Sequence, residues 1–149
     1  LYGCYTREEV FTLVGRQTAE VKMQGTASGA FNLPEHNAVL LFVTLNKSEK
    51  DFSPSTQYND YLINDEYFHW QSKNTDSHYN SGGRKYIEQP KTGIKIILFV
   101  RDEKKDGFGN TSPFHCFGLV DYISSHGDCP MNVKWKLQKP AMAQYLKAI

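Results

Sequence analysis

Cysteine is scarce. Cys4, Cys116 and Cys129 are an odd set with no short repeated spacing, which argues against a disulfide framework and for a reducing compartment, the cytoplasm by default. Net charge is almost absent: seventeen Lys and Arg against sixteen Asp and Glu leave +1. No whole-molecule field therefore draws the chain onto nucleic acid or an anionic membrane, and any basic patch has to be local. Long hydrophobic runs are missing too. The longest, Ala38 to Val43 followed by Thr44 and Leu45, falls far short of the roughly 20 residues that span a bilayer, and no charged leader precedes an apolar stretch. There is no repeat or low-complexity tract, and no glycine-rich phosphate loop follows a candidate strand. Gly107-Phe108-Gly109 sits in a turn between strands, which makes a doubly wound nucleotide fold a poor fit.

What the chain has in excess is aromatic area. Nine Tyr, nine Phe and two Trp make 13% of 149 residues, more ring surface than a core of this size needs, so some rings are expected at a surface or in a pocket. The length fits one domain, 1–149, with a buried core. Because the chain begins at Leu1 rather than Met, it reads as a fragment of a longer polypeptide.

Local patterns give an α+β, mainly β chain. Thr6 and Glu9 have capping-box spacing and predict a short N-terminal helix carrying Val10, Leu13 and Val14 on one face, with Gly15 to end it. Ala19 to Met23 alternates as a half-buried strand would. The continuous apolar runs Ala38–Val43 and Lys95–Arg101 predict two central strands covered on both faces. Phe117–Ser124 is a third strand, and Val133, Trp135 and Leu137 alternating with Lys134 and Lys136 predict a strand with one face inward. Lys85–Gln89 is a weaker strand. Turns are expected at Ser81–Gly83, Pro90–Gly93, Asp106–Pro113 and His126–Pro130, and a short helix at Ala141–Lys147. Five to seven strands at this spacing suggest a curled sheet or partly open β-barrel.

The least generic stretch is 44–74, where small hydroxyls and amides alternate with rings at Phe52, Tyr58, Tyr61, Tyr67, Phe68 and Trp70. Rings offer a face to any base, and short polar groups read its edge. Phe52, Tyr58, Tyr61 and Trp70 are therefore candidate base-binding rings. In an extended segment Tyr58 and Asp60 project to one face, so Asp60 is the candidate acceptor for the exocyclic amine of cytosine. Asp60 is equally suited to a cap or turn, and at least one of Tyr58, Tyr61 and Trp70 is expected in the core. Lys47 and Lys50 with the Ser55 hydroxyl, and Arg84 and Lys85 after Ser81–Gly83, are candidate phosphate contacts.

Catalytic patterns are weak. His115 and Cys116 are strand neighbours that face opposite sides and cannot pair by adjacency. His115, Cys116, His126 and Cys129 lack the paired spacing of structural zinc. Glu103-Lys104-Lys105 has the acid-x-lysine spacing of metal-dependent nucleases but no matching upstream Asp. No triad or phosphate-loop signature occurs. The expectation is a domain without catalysis, cofactor or metal of its own.

Several blocks occur in order: Thr6–Val10, Phe42–Ser48, Phe52–Pro54, Tyr58–Tyr61, Phe68–Ser72, Gly83–Ile87, Leu98–Arg101, then Pro130-Met131 through Trp135–Leu137. In these the chain resembles, over nearly its whole length, the family catalogued as domain of unknown function 3427. The family pattern often has His where this chain has Asn59, so Asn59 is not counted as a site residue. The resemblance implies the C-terminal module of long bacterial proteins in which a phospholipase-D-like nuclease and a superfamily 2 helicase motor come first, some resembling modification-dependent restriction enzymes used in phage defence. It also implies a fold related to the SET-and-RING-associated and PUA type. The implied function is a base-flipping reader of 5-methylcytosine or 5-hydroxymethylcytosine in double-stranded DNA. The rival is a non-catalytic interaction module docking onto the helicase or a partner subunit. A third reading, a small-molecule sensor, requires a closed pocket that rejects duplex DNA. The resemblance brings no site assignment, so the residues above rest on the residue-level argument.

Overall fold

The computed structural model describes residues 3–13, 29–46, 60–72, 76–103, 112–128 and 130–140. The Thr6–Glu9 box forms as spaced: Glu9 N donates to Thr6 Oγ1 at 3.1 Å and Thr6 N to Glu9 Oε1 at 3.2 Å, which satisfies two amides at the start of α1 (Arg7–Leu13). Just before it, β1 (Cys4–Tyr5) pairs with β7 (Phe114–His126).

The two continuous apolar runs become β3 (Ala38–Asn46) and β6 (Lys95–Glu103), joined in parallel. Strands so placed are covered on both sides, so neither needs a polar face. Val39, Leu41 and Val43 with Ile96, Leu98 and Val100 point into the larger core, and Leu40, Phe42 and Phe99 into a smaller one with Val10, Leu33 and Phe114. The sheet is open and curled, in the order β2 (Ala30–Leu33), β3, β6, β7, β8 (Asn132–Leu137), β5 (Tyr67–Gln71), β4 (Tyr61–Leu62), eight strands with β1 among the described residues. That agrees with the mainly β, partly open architecture expected, with one strand more. Along β7 the register against β6 shifts between Leu98 and Phe99. Gly118 lies there at φ 80, a conformation that a side chain would strain.

Two local expectations are corrected. Lys85–Gln89 is not a strand, and Ser81–Gly83 is not a flexible turn. They form α2 (Ser81–Ile87) and, with Gln89–Thr92, α3. Asn80 is the reason: its side-chain oxygen accepts from Gly83 N at 3.0 Å and Ser77 N at 3.2 Å, fixing the helix start. The expected elements at 14–28 and 141–149, and most of the 106–113 turn, lie outside the described residues.

Candidate functional site

Strand alternation sorts the rings of the 60–72 segment between two faces. On β5, Phe68 and Trp70 turn inward while Tyr67, His69 and Gln71 turn outward; on β8, Val133, Trp135 and Leu137 turn inward while Asn132, Lys134 and Lys136 turn outward. Antiparallel pairing then sets Tyr61 beside His69, His69 beside Lys134, Tyr67 beside Lys136 and Gln71 beside Asn132. The outer face is a band of rings, amides and lysines. Tyr61, 44% exposed, stacks on His69 with centroids 4.6 Å apart and planes at 17°. The Lys134 ammonium lies 4.6 Å from the Tyr67 ring centroid, a cation–π contact. Gln71 Nε2 donates to Asn132 Oδ1 at 2.9 Å.

Of the expected base-binding residues, Tyr61 stands on this band. Asp60 adjoins it, and its Oδ1 accepts from the backbone N–H of Gln71 at 2.8 Å, fixing the approach to β4. Trp70 corrects the expectation. It is 4% exposed, in edge contact with Tyr86 at 5.0 Å and tilted against Trp135 at 6.2 Å. It is a core residue with no ring face turned to solvent. Phe52, Tyr58, Lys47, Lys50 and Ser55 lie outside the described residues.

The remaining expected phosphate contacts point elsewhere. Arg84 is held by Glu88 through Nη2 at 2.7 Å and Nε at 2.9 Å, and donates to the His78 carbonyl at 3.3 Å. Lys85 donates to Asn32 Oδ1 at 2.9 Å. With Asn32, Asn37 and Ser81 it lines a groove of about 400 Å³ that has no aromatic wall.

Behind the band lies an aromatic chamber of Trp70, Tyr86, Trp135 and Tyr122, with Tyr86 and Trp135 both at zero exposure. Among the described residues, the buried Tyr86 hydroxyl and Trp135 Nε1 have no hydrogen-bond partner. Burial, reinforced by the negative charge of Asp76, pushes the Tyr86 hydroxyl well above the usual phenol range.

One cluster had no signal in the sequence. Asp128 Oδ1 accepts from His78 N at 2.7 Å and faces His78 Nδ1 at 2.8 Å, while His78 Nε2 lies 2.8 Å from Ser125 Oγ. The Tyr122 hydroxyl lies 2.7 Å from the same oxygen. The His78 backbone N–H first, and its ring second, hold the Asp128 carboxyl below the usual carboxylate range. His78 is 47 residues from Ser125, a separation that belongs to no recognisable motif. Among the described residues no group of three His, Cys, Asp or Glu could hold a metal ion, and Cys129 of the considered zinc set is outside them. No helix among them is long and apolar enough to cross a membrane.

No curated protein matches the chain. The family model described as "Domain of unknown function (DUF3427)" matches residues 1–148.

Proposed function

The chain belongs to the DUF3427 family, and from that premise we propose that it is a DNA-binding reader of modified cytosine, either 5-methylcytosine or 5-hydroxymethylcytosine. It acts by base flipping as the target-recognition module of a modification-dependent restriction enzyme in the bacterial cytoplasm, with helicase and nuclease domains on the same polypeptide as its partners. The observation that carries this reading is the outer band, where the exposed Tyr61–His69 stack lies beside Lys134 and Lys136.

Extruding one nucleotide costs a few kcal/mol. Stacking on the Tyr61–His69 pair returns about 1 to 3 kcal/mol per base, and edge hydrogen bonds from groups such as Asn132 and Gln71 add to it. Lys134 and Lys136 supply the local positive charge that a near-neutral chain needs to hold phosphates. Tyr61 offers the ring face that Trp70 does not. A methyl group in an apolar contact contributes about 1 to 3 kcal/mol, so modified and plain duplexes should differ by about 10 to 200-fold.

The test is fluorescence anisotropy with plain, 5-methylcytosine and 5-hydroxymethylcytosine duplexes, over a salt series, for wild type, Tyr61→Ala and Lys134→Ala. Expected are a preference for one modified duplex that Tyr61→Ala erases, and a log–log salt slope that Lys134→Ala reduces by about 1. Equal affinity for all duplexes overturns modification reading. No binding even at low salt overturns DNA binding and leaves the docking module.

A further inference from the structure

The His78, Ser125, Asp128 and Tyr122 cluster has the parts of an acyl-transfer centre, and its Tyr122 and Ser125 pair with inward residues of β8, on the face of the sheet opposite the outer band. Ser125 pairs with Val133, one of the inward residues of β8, after a register shift between Tyr122 and Ser124. We propose that Ser125 is a nucleophile, His78 its general base and Asp128 the positioning residue of a triad that hydrolyses small neutral carboxylic esters.

Each role follows from a contact. Asp128 Oδ1 at 2.8 Å from Nδ1 selects the tautomer of His78 that carries its proton there. Nε2 is then free to accept from Ser125 Oγ at 2.8 Å. The imidazole is held at both ring nitrogens by these contacts, and the backbone beneath it is anchored through its N–H to Asp128 at 2.7 Å and its carbonyl to Arg84 at 3.3 Å. Gly127, at φ 75, makes the turn that returns Asp128 toward the end of β7. The Tyr122 hydroxyl, 2.7 Å from Ser125 Oγ, stands where it can donate to an oxygen developing negative charge. Side-chain exposures of 28% for His78 and 40% for Asp128 leave the centre reachable from solvent.

Ser125 Oγ bonds to the ester carbonyl carbon as its proton passes to His78 Nε2, and the carbonyl oxygen, now negative, accepts from the Tyr122 hydroxyl. Collapse breaks the ester C–O bond, and the departing alcohol takes the proton from His78. Water then repeats the sequence on the acyl-serine, so that one ester and one water give one acid and one alcohol, with Ser125 restored. The ionised Asp128 carboxylate beside the centre disfavours phosphodiesters and other anions, which leaves neutral esters as the substrate class.

The test treats the 149-residue chain with a fluorophosphonate probe, maps the adduct by mass spectrometry, and follows p-nitrophenyl acetate hydrolysis in parallel. Expected are a single adduct on Ser125, none in Ser125→Ala, and labelling slowed at least about 100-fold in His78→Gln and in Asp128→Asn. Melting curves confirm that each variant is folded; a variant that unfolds is replaced by Tyr122→Phe, which should slow ester hydrolysis at least about 10-fold. No adduct on Ser125 of the folded wild type, or labelling unchanged by His78→Gln, overturns the proposal and makes the cluster a clamp between the turn before α2 and the end of β7.

Discussion

Tyr86 sits at zero exposure between Trp70 and Trp135, at centroid distances of 5.0 and 5.8 Å, with its hydroxyl unpartnered among the described residues. In the unfolded chain that hydroxyl is hydrated, so folding strips it of water without return, at about 1 to 3 kcal/mol. Tyr86→Phe keeps the ring and its edge contacts and removes only the stranded group, leaving a void of no more than that one oxygen. The variant should therefore be about 1 to 2 kcal/mol more stable, with a melting temperature about 2 to 8 °C higher for a chain of this size. A pH signature accompanies it. The folded phenol keeps its proton beyond the usual tyrosine range, whereas unfolded tyrosine ionises near about 10. Above that pH the unfolded state binds fewer protons, so wild-type stability falls, and the advantage of the variant widens. Urea unfolding followed by tryptophan fluorescence is the assay, because both tryptophans of the chain, Trp70 and Trp135, lie in this chamber. A variant less stable than wild type by about 1 kcal/mol or more would mean that the hydroxyl is hydrogen-bonded in solution, and the reasoning would fail.

Two further outcomes follow from local geometry. At Gly83 an added Cβ would run into the Ser77 carbonyl oxygen and the Met131 sulfur, one of them backbone that cannot swing aside. Gly83→Ala should cost about 2 kcal/mol or more in urea unfolding, despite the better helix propensity of alanine. At Asp128 the folded carboxyl is held below its usual range, so its contribution is complete above the unfolded value of about 4 and is lost as pH falls through the folded one. Wild type should lose stability in acid more steeply than Asp128→Asn, read by melting at stepped pH; parallel profiles would refute the His78–Asp128 linkage.

How far the sequence was legible depends on the range of the force involved. Ala38–Val43, and Ile96–Val100 within the Lys95–Arg101 run, announce buried strands by unbroken apolar character, and Val133–Leu137 by alternation, because solvent sorts those residues whatever their partners. Asn80-Ser81-Gly82-Gly83 misleads, since Gly83, which reads as flexibility, is here required by a close approach of Ser77 and Met131 to the start of α2. Placing Trp70 among the binding rings is the larger error. The sequence places Tyr67 to Trp70 side by side, and only the β5–β8 pairing sends alternate members to opposite faces. The Ser125–His78–Asp128 contacts depend on a bulge in β7 and a turn before α2, long-range events with no local trace.

That same pairing decides how binding experiments on this domain are to be interpreted. A one-residue slip of β5 would exchange Trp70 for His69 and turn the face inside out. What resists the slip most is the chamber, where Trp70, Tyr86 and Trp135 interlock, rather than the outer band, where β5 meets β8 through the Lys134–Tyr67 and Gln71–Asn132 contacts and β4 through the Tyr61–His69 stack. Tyr61→Ala should therefore lower stability by no more than about 1 kcal/mol, while Trp70→Ala should cost about 3 to 5 kcal/mol. If both variants lose DNA binding, only the first locates a contact, because the second disorders the face that presents it. Differential scanning fluorimetry on the two variants decides the matter before any DNA is added. A Tyr61→Ala variant as unstable as Trp70→Ala would show that the outer stack holds the register, and the division of this sheet into a structural face and a binding face would not stand.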